Sequence, residues 1–191
     1  LTLRHPGKSK PVLSDVSLTL RAGEILGVAG IEGNGQSELV EAITGLRPFD
    51  EGRIVLNGED VSKSSAREVR EAGLSHIPED RNERGLVGAY SAAMNSVLGD
   101  VYRAPYSRLG LLQDGPILGH AERCIRDYDV RPASPEVSAV SYSGGNAQKL
   151  IVARELERAP NILVASQPTR GVDIGAIEFI HRRIVEARDK G

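Results

Sequence analysis

The segment Gly30-Ile31-Glu32-Gly33-Asn34-Gly35-Gln36-Ser37 is the first place where residue types and spacing suggest chemistry. It matches the phosphate-loop pattern G-x-x-x-x-G-K-[ST] at every fixed position except the lysine, which here is Gln36. Glycines let a loop wrap closely around a phosphate chain, with backbone N–H groups pointing inward. A helix starting near Gln36 would add the positive end of its dipole, and Ser37 is a candidate oxygen ligand for Mg²⁺. Glutamine is a neutral donor where lysine brings a full charge. A hydrogen bond to a charged group is worth roughly 1.5–3 kcal/mol against about 1 for a neutral pair. Weak nucleotide affinity and poor transition-state stabilisation are therefore expected. Taken alone, the same residues also read as a glycine-rich strand-to-helix turn that binds nothing.

A second cluster, Ser141-Tyr142-Ser143-Gly144-Gly145-Asn146, precedes a helical pattern. A hydroxyl, two glycines and a helix N-terminus form an anion-ready arrangement, or simply an N-cap with a flexible lead-in. A third stretch, Ile162 to Asp173, runs from an apolar strand pattern through Ser166-Gln167-Pro168-Thr169-Arg170-Gly171-Val172-Asp173. Between the first and second of these lies Pro78-Glu79-Asp80-Arg81, followed by Arg84-Gly85-Leu86. That segment alone reads as a charged surface loop, and Asp173 alone as the N-cap of the last helix.

In this order the motifs resemble an ATP-binding cassette (ABC) domain. Ser143-Gly144-Gly145-Asn146 resembles the family's signature, Ile162–Asp173 its Walker B strand and D-loop, and Glu79 stands at the Q-loop position where glutamine is usual. The resemblance runs from about Leu13 to the end. It is nearest to the second, degenerate cassette of importers for simple sugars and nucleosides, with the segment from Gln167 to Ala176 leaning toward the nucleoside branch. In such proteins the signature of one cassette closes over the nucleotide held by the phosphate loop of another.

The resemblance implies ATP and Mg²⁺ as cofactors, mainly at the partner cassette's site. This chain would contribute Ser143, Gly144, Gly145 and Asn146 toward the partner's ATP, with Asp173 at the interface. Its own site, Gly30 to Ser37, would have no intact catalytic group. Ser166 and Gln167 occupy the family's Asp-Glu positions, so metal anchor and general base are both replaced. Implied partners are a second cassette, transmembrane permease subunits and, indirectly, an extracytoplasmic solute-binding protein, at the cytoplasmic face of the membrane. An aromatic residue that would stack on adenine is expected within residues 1–20, which contain none.

The elements that must position these residues follow from periodicity. Val12–Leu20 alternates as a strand, and Glu24–Ala29 is an apolar run suited to a buried parallel strand. Ser37–Ile43 has helical spacing and ends at Gly45. Arg53–Leu56 is a strand closed by Asn57-Gly58; Ser65–Ala72 is a helix stopped by Gly73; Leu74–Ile77 is a strand before Pro78. Residues 91–155 form a proline-interrupted, mainly helical subdomain. Asn146–Arg158 is a helix with Ala147, Leu150, Ile151 and Ala153 inward, Ile162–Ala165 a buried strand, and Ile174–Arg188 a helix with Ile177, Ile180, Ile184 and Ala187 on one face. The expected fold is α/β: a phosphate-loop NTPase sheet-and-helix core (residues 1–90 and 156–191) with that subdomain. The family pattern continues past the Asp173 helix with another sheet strand. The chain therefore reads as a single domain truncated at its C-terminus, with an unfilled strand position, and as part of a longer polypeptide.

Composition bounds the alternatives. Lys+Arg 24 against Asp+Glu 26 gives a net charge of −2, which argues against a cassette ATPase acting on nucleic acid or ribosomes. One cysteine, Cys124, excludes a disulfide scaffold and reads as a small buried hydrophobe. His76 and His181 have no partner pattern. Apolar stretches are strand length, far short of the ~20 residues a membrane span needs. Glycine is 21 of 191 residues, about 11% against roughly 7% on average. Six of the 21 (Gly30, Gly33, Gly35, Gly144, Gly145 and Gly171) fall in the three phosphate-facing or interface motifs, Gly30–Ser37, Ser143–Asn146 and Ile162–Asp173. The competing reading is a non-catalytic binding or dimerisation module that keeps the cassette fold.

Overall fold

A computed structural model describes residues 1–5, 7 and 10–190. The chain folds as two compact units: Leu1–His76 with Asn161–Ser166 and Glu186–Gly191, and Ile77–Pro160 with Gln167–Val185.

The first unit carries α1 (Gln36–Ile43), β1 (Val55–Leu56), β2 (Glu59–Asp60), α2 (Ala66–Glu71), the start of β3 (Leu74–Ile77) and β6 (Ile162–Ala165). Strands β1 and β2 pair antiparallel around Asn57-Gly58, where both residues take positive φ (51° and 87°), as a tight hairpin turn requires. Strand β3 lies beside β6. Ser65 and Glu68 form a reciprocal capping box that starts α2, and Gly73 (φ 99°) follows its end. Burial concentrates in two clusters, Ile54, Leu56, Val61, Val69 and Leu74, and Leu3, Leu13, Leu39 and Ala42. Ile43 and Phe49 pack against both.

Two expected strands are not formed. In Val12–Leu20 only Leu13 bridges, antiparallel to Leu3. Glu24–Ala29 is irregular and exposed throughout, with Ile25 at 52% and Val28 at 60%. Its composition suits a buried strand, but a strand is made by its ladder partner. Among the described residues no backbone hydrogen bond reaches Ile25–Ala29. Likewise β6, expected buried, is only half-buried, and Ala165 is exposed.

The second unit contains α3 (Ala92–Ser96), a small antiparallel hairpin of β4 (Ser107–Arg108) and β5 (Leu111–Leu112), α4 (Asp114–Asp127), α5 (Gly144–Leu156) and most of α6 (Ile174–Arg188). Helices α3, α4 and α5 pack on one another. Buried Asn95 staples the loop before α3: its Oδ1 accepts from Val87 N–H (2.8 Å) and its Nδ2 donates to the carbonyls of Val87, Tyr90 and Ser91. The inward residues expected on α5 (Ala147, Leu150, Ile151 and Ala153) are all buried. On α6 the buried face is Ala176 and Ile180 rather than the full set from Ile177 to Ala187.

Candidate functional site

The phosphate-loop segment makes a turn at Ile31–Asn34, where Asn34 N–H donates to the Ile31 carbonyl at 3.2 Å, and then enters α1. Gly33 and Gly35 take positive φ (87° and 98°), which a side chain would resist. Gly35 caps α1 without a side-chain acceptor, so the first N–H groups of the helix have no side-chain cap. Gln36 turns back over the loop. Its Nε2 donates to the Ile31 carbonyl at 3.1 Å and lies 1.9 Å from where a Cβ on Gly30 would stand. The open face of Gly30, which would let a phosphate approach, is filled by this neutral amide. Ser37 is exposed.

Ser166 closes β6, and its buried Oγ has no hydrogen-bond partner. Hard divalent cations take oxygen ligands, and in nucleotide sites Mg²⁺ is usually held by one or two carboxylates with phosphates and waters. At the positions expected to hold it, Ser37 and Ser166 supply neutral hydroxyls only. Among the described residues no cluster of His, Cys, Asp or Glu could hold a metal. Ser37 retains a hydroxyl suited to Mg²⁺, but the carboxylate that would accompany it is replaced by Ser166.

Gln167 follows in the second unit with φ 45°, a conformation that costs a non-glycine residue of order 1–3 kcal/mol and persists only where its surroundings hold it. They do. Its Nε2 donates to Glu79 Oε1 at 2.7 Å, and its carbonyl accepts from Arg170 N–H at 3.0 Å. The Arg170 guanidinium pairs with the same Glu79 oxygen. Asp80 accepts from the N–H groups of Asn82 (2.8 Å) and Glu83 (3.0 Å), which holds its carboxyl below the usual range and anchors the π-turn Arg81–Gly85. Arg81 donates to the carbonyls of Arg170 (2.8 Å) and Gly171 (3.4 Å).

The second glycine cluster heads α5. Ser143 accepts from Asn146 N–H (3.4 Å) and Asn146 Nδ2 (2.9 Å), and Ser143 itself stays exposed. Both glycines lie close against other groups of the chain. A Cβ on Gly144 would meet Arg81 Nη2 at 2.9 Å and the Gly171 carbonyl at 3.1 Å; one on Gly145 would meet Asp173 Oδ2 at 2.7 Å. Asp173 caps α6, its Oδ1 accepting from Ala176 N–H at 2.9 Å. A cleft of about 350 Å³ opens beside this N-terminus, lined among others by Gly145, Asn146, Lys149, Asp173 and Phe179.

Within the second unit the structure therefore brings together Glu79, Ser143–Asn146, Gln167 and Asp173. Gly30–Ser37 and Ser166 belong to the first unit. Sequence reasoning missed Arg81 and Arg170, whose partners lie 89–91 residues away along the chain with no local spacing to signal them.

A family model described as ABC transporter matches residues 13–170. The chain is 49% identical over 177 residues to the guanosine import ATP-binding protein NupO of Bacillus subtilis (strain 168), covering 93% of this chain and 35% of that protein. It is 51% identical over 176 residues to the nucleoside import ATP-binding protein NupA of Lactococcus lactis subsp. cremoris (strain MG1363), covering 92% and 35%. The chain thus spans about a third of the length of these curated relatives (35%). Among solved structures it is similar to the dimeric ATP-binding cassette MJ0796 bound to ADP and Pi, with TM-score 0.82 and 20% identity over 99% of this chain and 81% of that one. At that identity the likeness shows the fold.

Proposed function

This chain belongs to the ABC transporter family of ATP-binding cassettes, which bind ATP with Mg²⁺, and from that premise we propose that it is the degenerate, second cassette of a nucleoside or simple-sugar importer. Its own phosphate loop binds nucleotide weakly and hydrolyses it very slowly. Its signature residues Ser143, Gly144, Gly145 and Asn146 complete the ATP site of a partner cassette, with Asp173 at the interface. The pair drives permease subunits at the cytoplasmic face of the membrane, fed by an extracytoplasmic solute-binding protein. The import names of both relatives support the nucleoside branch.

One contrast carries the asymmetric reading. Gln36 folds its neutral side chain onto Gly30, whereas Ser143 stays exposed at the N-terminus of α5. Two further observations agree with it. Ser166 offers a hydroxyl where an Mg²⁺-binding carboxylate would be needed, and Gln167 cannot accept a proton as a general base.

The test is Ser143→Arg in the full-length protein assembled with its permease. ATP turnover is expected to fall at least tenfold, since an added side chain fills the space that a phosphate would approach. Unchanged turnover refutes the lending of the signature and leaves the dimerisation module as the reading. Gln36→Lys alone is expected to restore little hydrolysis at this chain's own site, because the metal and base positions remain neutral.

A further inference from the structure

We propose that Glu79 and Arg81 are positioning residues for Ser143, Gly144 and Gly145. They clamp the turn Gln167–Arg170 and Gly171 against the N-terminus of α5 and so fix where the glycine pair presents its N–H groups. The inference rests on the reading above, in which that pair completes a partner's ATP site.

The contacts form one continuous series within the second unit. Asp80 ties the backbone of the Arg81–Gly85 turn through the N–H groups of Asn82 and Glu83, so its neighbours Glu79 and Arg81 project from an anchored rung. Glu79 receives two donors from one turn, the Gln167 amide at 2.7 Å and the Arg170 guanidinium. Arg81 takes the exit of the same turn through the carbonyls of Arg170 and Gly171. The Arg81 guanidinium and the Gly171 carbonyl then lie on Gly144, in the space that a Cβ would need. Two residues on, Asp173 lies on Gly145 in the same way. A shift of the Gln167–Arg170 turn is therefore a shift of what the α5 N-terminus rests on.

An ordinary surface ion pair would do none of this. The Glu79 side chain is 29% exposed and that of Arg170 is 53% exposed, so the pair adds little to folding stability. What it adds is a fixed position. It also changes the meaning of Glu79. Where the family resemblance suggests glutamine, this chain has a carboxylate, to which Arg170 and Gln167 both donate. Glutamine there would lose the charged acceptor.

The experiment measures ATP turnover against ATP concentration in the full-length protein with its permease, for E79Q, R170Q, the double variant and S143R. E79Q is expected to lower kcat roughly tenfold, the scale of one charge-assisted hydrogen bond lost. KM for ATP should change less than about twofold, because the nucleotide is held by the other cassette's phosphate loop, and the thermal unfolding midpoint should stay as in the parent. R170Q should lower kcat by no more than E79Q, because Gln167 still donates to Glu79, and the double variant should lose no more than E79Q alone. Unchanged or raised kcat in E79Q overturns the proposal. So do losses that multiply in the double variant, or a loss of activity that tracks a lower unfolding midpoint. If S143R abolishes turnover while E79Q leaves it intact, the positioning role alone fails. If S143R has no effect, the shared-site reading fails and the positioning role with it.

Discussion

Cys124 and His120 are close enough to look like a reactive pair, with Sγ 3.5 Å from Nε2. Their surroundings decide otherwise. Cys124 is fully buried, and that burial pushes its thiol up to about 12, far from the thiolate that reacts. Burial, helped by the Arg123 guanidinium, pushes His120 below its ordinary 6.5. The sequence reading of Cys124 as a small buried hydrophobe is thus borne out by its environment. Native protein at pH 8 should consume no maleimide or Ellman's reagent within an hour, and one equivalent after unfolding in guanidinium. For His120 the sign follows from linkage: the unfolded state takes up the proton first as pH falls. Its contribution to stability is complete above pH 6.5 and declines as pH drops through 6.5 toward the lowered value. The urea midpoint should therefore decrease from pH 7 to 5.5, and His120→Gln should flatten that slope. A steeper slope in the variant would contradict it.

Helix α5 shows what sequence periodicity reveals about an element and what it leaves out. The inward positions Ala147, Leu150, Ile151 and Ala153 were legible because one face of a 3.6-residue period is apolar. Arg154 and Glu155 were not, since charged residues read as solvent-facing. Both are buried: Arg154 donates to Glu155 (2.7 Å), to the Gly85 carbonyl (2.7 Å) and to that of Asn95 (3.4 Å). Arg154→Ala should cost about 3–5 kcal/mol in urea unfolding, because it removes one ion-pair partner of the buried Glu155 carboxylate and leaves the Gly85 and Asn95 carbonyls without that donor. At the helix N-terminus Gly145→Ala should displace the Asp173 carboxylate and forfeit its cap on α6, about 1 kcal/mol. Combined with Asp173→Ala, that loss should not be counted twice, and a strictly additive double variant would argue against the contact. The missed hairpin at Ser107–Leu112 and the absent strand at Glu24–Ala29 have one cause. Strand pairing is a property of two segments, and Ile25–Val28 or Leu111-Leu112 carries no mark of its partner. The loop glycines, capping residues and helix periods act locally, so they could be read from the chain.

Across the molecule, the family and its α/β fold were legible from the order of motifs, while the seam of Glu79, Arg81, Arg170 and the two glycines was not. Composition gave a near-neutral charge. The exposed apolar run is visible only in three dimensions, with Leu18 at 47%, Leu20 at 39%, Ile25 at 52%, Leu26 at 44% and Val28 at 60%. A run of this kind binds hydrophobic dyes. The isolated 191-residue chain should enhance ANS fluorescence in its folded state, and Ile25→Ser with Val28→Ser should remove about half of that signal. Equal fluorescence in both would place the dye elsewhere. The doubly constrained glycines have a consequence for how such a sequence drifts. A side chain at Gly144 or Gly145 would crowd Arg81, the Gly171 carbonyl or Asp173, whether or not a phosphate ever approaches them. A lineage that gave up every nucleotide duty would still lose some stability on replacing them, about 1 kcal/mol at Gly145. An intact glycine pair is therefore a poor witness to a living ATP site. Ser143, the exposed hydroxyl beside them, has a folding role of its own as well, since it caps α5 through Asn146, worth about 1 kcal/mol.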